Sequence, residues 1–586
     1  MGLPHYVPPF FFLAFALVIQ SVSAARREYN LTFTTAAISP DCHSFKPSTP
    51  STLLINGQFP GPTIHAERDD TLVIRVQNRI IAVNNEMVTL HFHGIRQRGT
   101  PLADGVPFLT QYPVSPGEDY VHEFHAQIQA GTYFYHSHVG FQGVSAFGPL
   151  LIYDYPEDSK DHDGGMSLPS SPFEYDEERI FMLSDWWHKD RHAQEQGVLS
   201  ENFTWIGEPD SLLINGRTIY NASFAESDEC KGYDVTTVDY GKVYRFRIMG
   251  SQTLETLAFG IGNHTLTIIE IDGHYIEPVE TSYLEVASGQ RYSVLFYANQ
   301  SVGNYYVHTD VRWRAVHPQN GIAIVQYSGA TDPPKNIVPD LSQLPSFPKE
   351  YPQWISSQFK PFRLSASHKP LPLDITSPAR EVVLTTSHIS LPSGVSVWAI
   401  NGVAYEMPKT PILLDILSGT RSTNPNYTAA ALGDGYDVTR KTYPIRKGEF
   451  IDLIFQNTVI LPGNCEAHPW HIHGHFHWEV AYGSGMYDPS VRPQDGNPNV
   501  TFVTDPFARD TSLVYPTSHA YFDVGSAPVN ETKTPVGCGW KKIRIVADNP
   551  GVWMVHCHIT AHMSMGMQIV LEEAVEEVVA TVRGKG

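Results

Sequence analysis

The chain has 586 residues with 42% hydrophobic and 17% charged side chains, enough for roughly three to four globular domains. A net charge of −21 argues against nucleic acid or an anionic membrane surface as a partner. Forty-four Gly, 44 Pro, 29 Tyr and 29 Phe favour short strands and turns over long helices, so helices should be few and short.

In chain order, Phe10–Ile19 is an apolar run followed by SVSAARR, which reads as a secretory signal covering residues 1–24. Three segments then repeat one pattern. LLINGQFPGPTI begins at Leu53, LLINGRTIY at Leu212 and WAINGVAYEMPKTPI at Trp398, each an apolar strand ending in Asn-Gly, a hairpin signal. Alternating stretches such as TLVIRVQN, KVYRFRIMG and FIDLIFQN add further strands. Each segment closes on Gly with a His five residues later: GTYFYHSH from Gly131, GNYYVHTD from Gly303 and GVWMVHCH from Gly551. Where the outer copies carry His138 and His558, the middle copy carries Asp310. The expected organisation is three homologous β-domains, 25–158, 159–345 and 346–586, with linkers near 155–172 and 330–370 and no apolar anchor in the tail.

Six H-x-H pairs occur among 27 histidines. Chance gives about one when matches are counted along the chain. Four belong to separate motifs: HFHG at 91, HSH at 136, HPWHIHGH at 468 and HCHITAH at 556. A single pair is ordinarily structural; four such motifs at matching ends of two repeats point to metal. In an extended strand His556 and His558 face one side and Cys557 the other, so one strand can serve two sites. One thiolate, two imidazoles and a weak thioether describe a blue-copper site, and Cys557, His562 and Met567 supply three of these four, with His468 as the second imidazole. Eight histidines remain: His91, His93, His136, His138, His471, His473, His556 and His558. An all-imidazole set of that size suits several copper ions that bind dioxygen. Zinc spacings such as C-x-x-C or H-E-x-x-H are absent.

The four motifs together resemble the blue multicopper oxidases of the laccase and ascorbate oxidase group, over nearly the whole chain after the signal. The resemblance implies an all-β chain of three cupredoxin-like Greek-key barrels with four copper ions, one type 1, one type 2 and two type 3. It implies His468, Cys557 and His562 at type 1 with Met567 axial, and His91 and His471 at type 2. It places His93, His136 and His558 on one type 3 ion, and His138, His473 and His556 on the other. Electrons from a small organic donor would enter at Cys557 and leave through its neighbours to dioxygen. Asp104 resembles an acid that aids proton delivery; Thr560 stands where many relatives have an acid. The resemblance also implies the Cys42–Cys230 bridge. A second pair, Cys465–Cys538, is expected beside it, with Cys557 left free.

For the donor, a phenol leads, with Glu255 as acceptor of its proton and oxidative phenol coupling in pigment or secondary-metabolite formation as a setting. Ascorbate is the alternative, on Trp205 and Trp398, which match tryptophans of that pocket. Ferroxidase is a further one, weakened by Asn464 where iron oxidases have Asp, with Glu466 nearby. A copper-binding relative without activity completes the set. Eight sequons, at Asn30, Asn202, Asn221, Asn263, Asn299, Asn426, Asn499 and Asn530, fit a secreted glycoprotein of the extracellular space or cell wall.

Overall fold

A computed structural model describes residues 25–43, 52–81, 86–127, 129–154, 171–225, 230–333, 337–362, 377–460, 464–516 and 536–583. The signal segment, Asn530, most of the expected linker near 155–172 and, within that near 330–370, residues 334–336 and 363–370 lie outside these residues. The other seven sequon asparagines are exposed. Among the described residues no helix is long and apolar enough to cross a membrane.

Six sheets form three pairs, each pair enclosing its own apolar core. The three units repeat one topology. In each, the first long strand runs parallel to a later one: Arg26–Ala36 beside Thr71–Asn78, Glu177–Trp186 beside Val243–Gly250, and Arg380–Ser390 beside Phe450–Thr458. The facing sheet of each unit has a second parallel pair. Among the described residues the regular helices are short, and the longest, Arg191–Leu199 and Val575–Arg583, have 9 residues each.

The Asn-Gly turns show why the sequence repeat matters. Asn56, Asn215 and Asn401 have φ of 54°, 52° and 53°, and Gly57, Gly216 and Gly402 follow at 70°, 72° and 75°. A hairpin turn with two left-handed residues needs this pair. Each Asn side chain also bridges to the first strand of its unit: Asn56 accepts from the Thr32 amide, Asn215 from Met182 and Asn401 from Thr385, at 2.7–2.9 Å.

Polar groups are buried where the units meet. Thr132 donates its amide to Glu270 at 2.7 Å, and Arg247 donates to the Thr132 hydroxyl at 2.7 Å. Arg291 grips Asp510 with two bonds of 2.6 and 2.7 Å, and Arg509 reaches Asp272 at 3.0 Å. Cys42–Cys230 ties the first unit to the second, Cys465–Cys538 lies within the third, and Cys557 is free and buried.

Candidate metal centres

The histidines converge because two strand pairs carry them. His91–His93 lies antiparallel to Gly131–His136, with His91 opposite His136. His468–Ile472 lies antiparallel to Gly551–Cys557, with Trp470 opposite Cys557 and His471 opposite His556. The two pairs face each other, so the rings of His93 and His471 stack at 3.8 Å and those of His91 and His473 lie at 3.9 Å.

Donor atoms fall within 4.8 Å of one another in five buried groups: His91/His93/His471, His93/His136/His558, His138/His473/His556, His468/Cys557/His562 and His91/Asp104/His473. All eleven His and Cys residues singled out by spacing are in these groups. Met567 is fully buried in the same core as Cys557. Its carbonyl accepts from the Cys557 amide at 3.0 Å, and its amide donates to the His562 carbonyl at 2.9 Å.

A fit to metal ions is tested by the unpaired atoms. The Nε2 atoms of His91, His136, His138 and His471 are buried with no hydrogen-bond partner. His473 Nε2 faces His556 Nε2 at 3.1 Å, and His558 Nε2 faces His93 Nδ1 at 3.1 Å. Such atoms are costly to bury unless an ion or proton joins them. The opposite ring nitrogens are pinned: His91 Nδ1 by the Asp104 carbonyl at 2.7 Å, His471 Nδ1 by the Asp510 carbonyl at 2.9 Å and His558 Nδ1 by Ser288 Oγ at 2.8 Å. This fixes which nitrogen points inward, as metal-binding histidines require. Burial pushes the His136 imidazolium down to about 3 and that of His556 to about 4, so both are neutral and ready to ligate. Cys557 Sγ lies 3.7 Å from His468 Nδ1 and 3.8 Å from His562 Nδ1. Burial pushes its thiol pKa well up, so a thiolate there needs a cation beside it. The donor set fits copper.

Asp104 is fully buried, with Oδ2 3.0 Å from His473 Nδ1 and Oδ1 3.3 Å from His91 Nδ1. Gly105 makes this placement possible: at φ +80° a Cβ would sit 1.8 Å from the Leu90 carbonyl oxygen. Asp510, which the sequence reading missed, stands at the other end of the cluster, 3.2 Å from His93 Nε2. Nothing in its local sequence marks it, because its role comes from Arg291 in another unit. His475 and His477 are not in the groups: His475 Nε2 lies 2.7 Å from Glu573 Oε2, and His477 Nε2 bonds Ser512 at 2.7 Å.

Two hollows reach these groups. One of about 380 Å³ is lined by His136, His138, His556 and His558 together with Thr253 and Thr560. The other, a cleft of about 590 Å³, is lined by Glu208, Leu254, Arg314, Asn464 and Glu466 among others. Glu466 Oε2 lies 3.1 Å from His562 Nε2, which connects this cleft to the Cys557 group. The Trp205 ring is 5.8 Å from the His562 ring, with the Arg314 guanidinium 5.9 Å from the Trp205 ring. Trp398 packs 5.4 Å from His468 and 5.1 Å from His562 but is 2% exposed, so it backs the site from the core. Glu255 is 1% exposed, between Leu254 and Thr256, which line the cleft. Glu208, Arg314 and the Glu466–His562 contact had no sequence signature, since they arrive from three separate loops.

Three family profiles described as multicopper oxidase match residues 34–157, 177–330 and 405–577. An L-ascorbate oxidase of Cucurbita maxima is 34% identical over 98% of this chain and 95% of its own length. Laccase-like multicopper oxidase 1 of Thermothelomyces thermophilus is 32% identical over 88% of this chain and 83% of its own. The crystal structure of a laccase from Botrytis aclada superposes with a TM-score of 0.69 at 25% identity, covering 96% of this chain and 91% of that one. The chain belongs to the multicopper oxidase family: three cupredoxin-like domains and a copper-dependent oxidoreductase with type 1, type 2 and type 3 coppers.

Proposed function

We propose that this protein is a secreted, laccase-type oxidase that removes single electrons from phenolic donors and reduces dioxygen to water. The observation that carries the reading is the set of carboxyl groups at the cleft against His562. A phenol gives up its electron far more readily when its proton leaves too, so an acceptor beside the electron entry point accelerates the reaction. Glu208, Glu255 and Glu466 surround Arg314 there, at 3.0, 3.7 and 3.9 Å.

In this reading His468, Cys557, His562 and Met567 would hold the type 1 ion. His91 and His471 would hold type 2, His93, His136 and His558 one type 3 ion, and His138, His473 and His556 the other. Copper, when bound, supplies one-electron acceptance at the thiolate and dioxygen binding and reduction at the imidazole cluster. The chain's own residues do the rest. Glu466 and Arg314 orient a donor at His562, the carboxyl cluster that includes Glu255 takes its proton, and Asp104, beside His473, aids proton delivery for dioxygen reduction. The domain limits 25–158, 159–345 and 346–586 accompany this reading, as do the 1–24 signal and export to the cell exterior or wall.

Ascorbate is the second reading, favoured by the ring of Trp205 near His562 and by the 34% identity to an L-ascorbate oxidase. Oxygen uptake with a methoxyphenol, ascorbate and Fe²⁺ side by side tests both. Phenol turnover well above the other two is expected; ascorbate alone being turned over would replace the first reading with the second.

A further inference from the structure

Glu208 and Glu255 sit on the same guanidinium but not in the same place. Glu208 lines the cleft and takes the Arg314 Nη1 hydrogen bond at 3.0 Å. Glu255 lies behind it, 3.7 Å from Arg314 Nε. Both Glu255 oxygens and Glu208 Oε2 are buried with no donor among the surrounding groups. Two carboxylates cannot serve each other, because each only accepts. Leaving three such oxygens bare is costly, and a second negative charge this deep is costlier.

The other charged groups nearby do not resolve this. Asp185, packed beneath, spends its oxygens on the amides of Thr253, Leu254 and Glu255. Glu466 faces His562. Burial raises the Glu255 carboxyl pKa well above its ordinary value, Arg314 opposes this, and the nearby Glu208 carboxyl raises it again. One proton held between the pair gives Glu208 Oε2 a donor and removes the buried charge.

We propose that Glu255 is a protonated positioning residue that donates its O–H to Glu208, and that Glu208, the carboxylate facing the cleft, accepts the proton of the phenolic donor. The inference rests on the phenol reading above and moves the acceptor one residue outward from Glu255. In each event the phenol O–H bond breaks. The proton goes to Glu208, one electron leaves by way of His562, and a phenoxyl radical departs. Four such events match the four electrons and four protons that convert dioxygen to two waters. Glu208 then passes its proton to solvent through the open cleft, while Glu255 keeps its own.

The test uses the copper-loaded enzyme and two readouts. Glu208→Gln lowers kcat/KM for a methoxyphenol about 10–100-fold, the lower range of general-base effects, and moves ascorbate, already an anion, much less. Glu255→Leu gives a similar loss for the phenol, and Glu255→Gln, whose amide N–H still donates to Glu208, rescues most of it. At neutral pH the infrared difference spectrum of wild type minus Glu255→Gln carries a protonated-carboxyl stretch, and that of wild type minus Glu208→Gln carries none. Phenol turnover as poor in Glu255→Gln as in Glu255→Leu, an unaffected Glu208→Gln, or no such band in the wild type each overturns the proposal. Should Glu255→Leu fail to fold, Glu208→Gln, Glu255→Gln and the band still decide. A wild type that oxidises ascorbate but no phenol overturns the phenol reading and Glu208 as acceptor, while the band separately upholds or refutes the shared proton.

Discussion

The strands Gly131–His136, Asn304–Arg312 and Gly551–Cys557 descend from one sequence pattern and occupy one place in three repeated units, yet only the outer two meet metal-binding groups. The middle copy keeps its histidine. His308 is buried, its Nδ1 bonded to the Pro345 carbonyl at 2.8 Å and its ring stacked on Phe347 at 5.5 Å. His308 Nε2 is as unpartnered as His136 Nε2. The difference lies in the neighbouring strands. His91–His93 flanks the first copy and His468–Ile472 the third, whereas Thr256–Ile261 and Gly321–Tyr327, which flank the middle copy, carry no histidine. A site here is made by two strands, and a His on one of them is inert. The middle unit contributes in another way, with Ser288 on His558 and Arg291 on Asp510.

The comparison is sharpened most by Cys557→Ser. It should abolish both the blue absorption of the copper thiolate and all oxygen uptake, while far-ultraviolet dichroism stays intact; a blue variant would refute the assignment. Next is Arg291→Met, in the middle unit. It leaves Asp510 buried without its cation, which costs about 3–5 kcal/mol. Denaturant unfolding should show that loss, and metal analysis should show copper missing from the imidazole cluster. Paired Cys465→Ser and Cys538→Ser substitutions remove a bridge in the third unit worth about 2–4 kcal/mol. Thermal unfolding reads the loss, which should exceed any change in turnover at low temperature. His308→Ala should have the smallest effect, about 1–2 kcal/mol for a buried side chain, with four coppers per chain retained. Loss of copper from that variant would overturn the two-strand rule.

Much of this was legible in the residues. The Asn-Gly repeats announced three units because a two-residue turn restricts both positions, and the alternating His-Cys-His announced two sites because a strand has two faces. What stayed hidden is tertiary. Asp510 is recognisable only once Arg291, more than two hundred residues earlier, holds it against His93. Glu255 looked like an acid at the mouth of the site, but it is 1% exposed and Glu208 stands at the cleft instead. Trp398 resembled a pocket wall and is packed as core, since aromatic patterning does not distinguish the two roles.

The segment 251–256 has a further consequence. Ser251, Gln252 and Thr253 line the hollow over the histidines, Leu254 and Thr256 line the cleft, and no residue lines both. Asp185 clamps this segment through three amides, and the Thr560 amide ties Thr253 to the next layer at 2.8 Å. It works as a bulkhead. With the donor in the cleft and dioxygen over the histidines, as proposed above, the two would occupy separate compartments, so a bulky donor or a competitive inhibitor lodged in the cleft would leave the gas its own space. Radicals formed on one side would be kept off the oxygen chemistry on the other, and Cys557 with its neighbours would join the two.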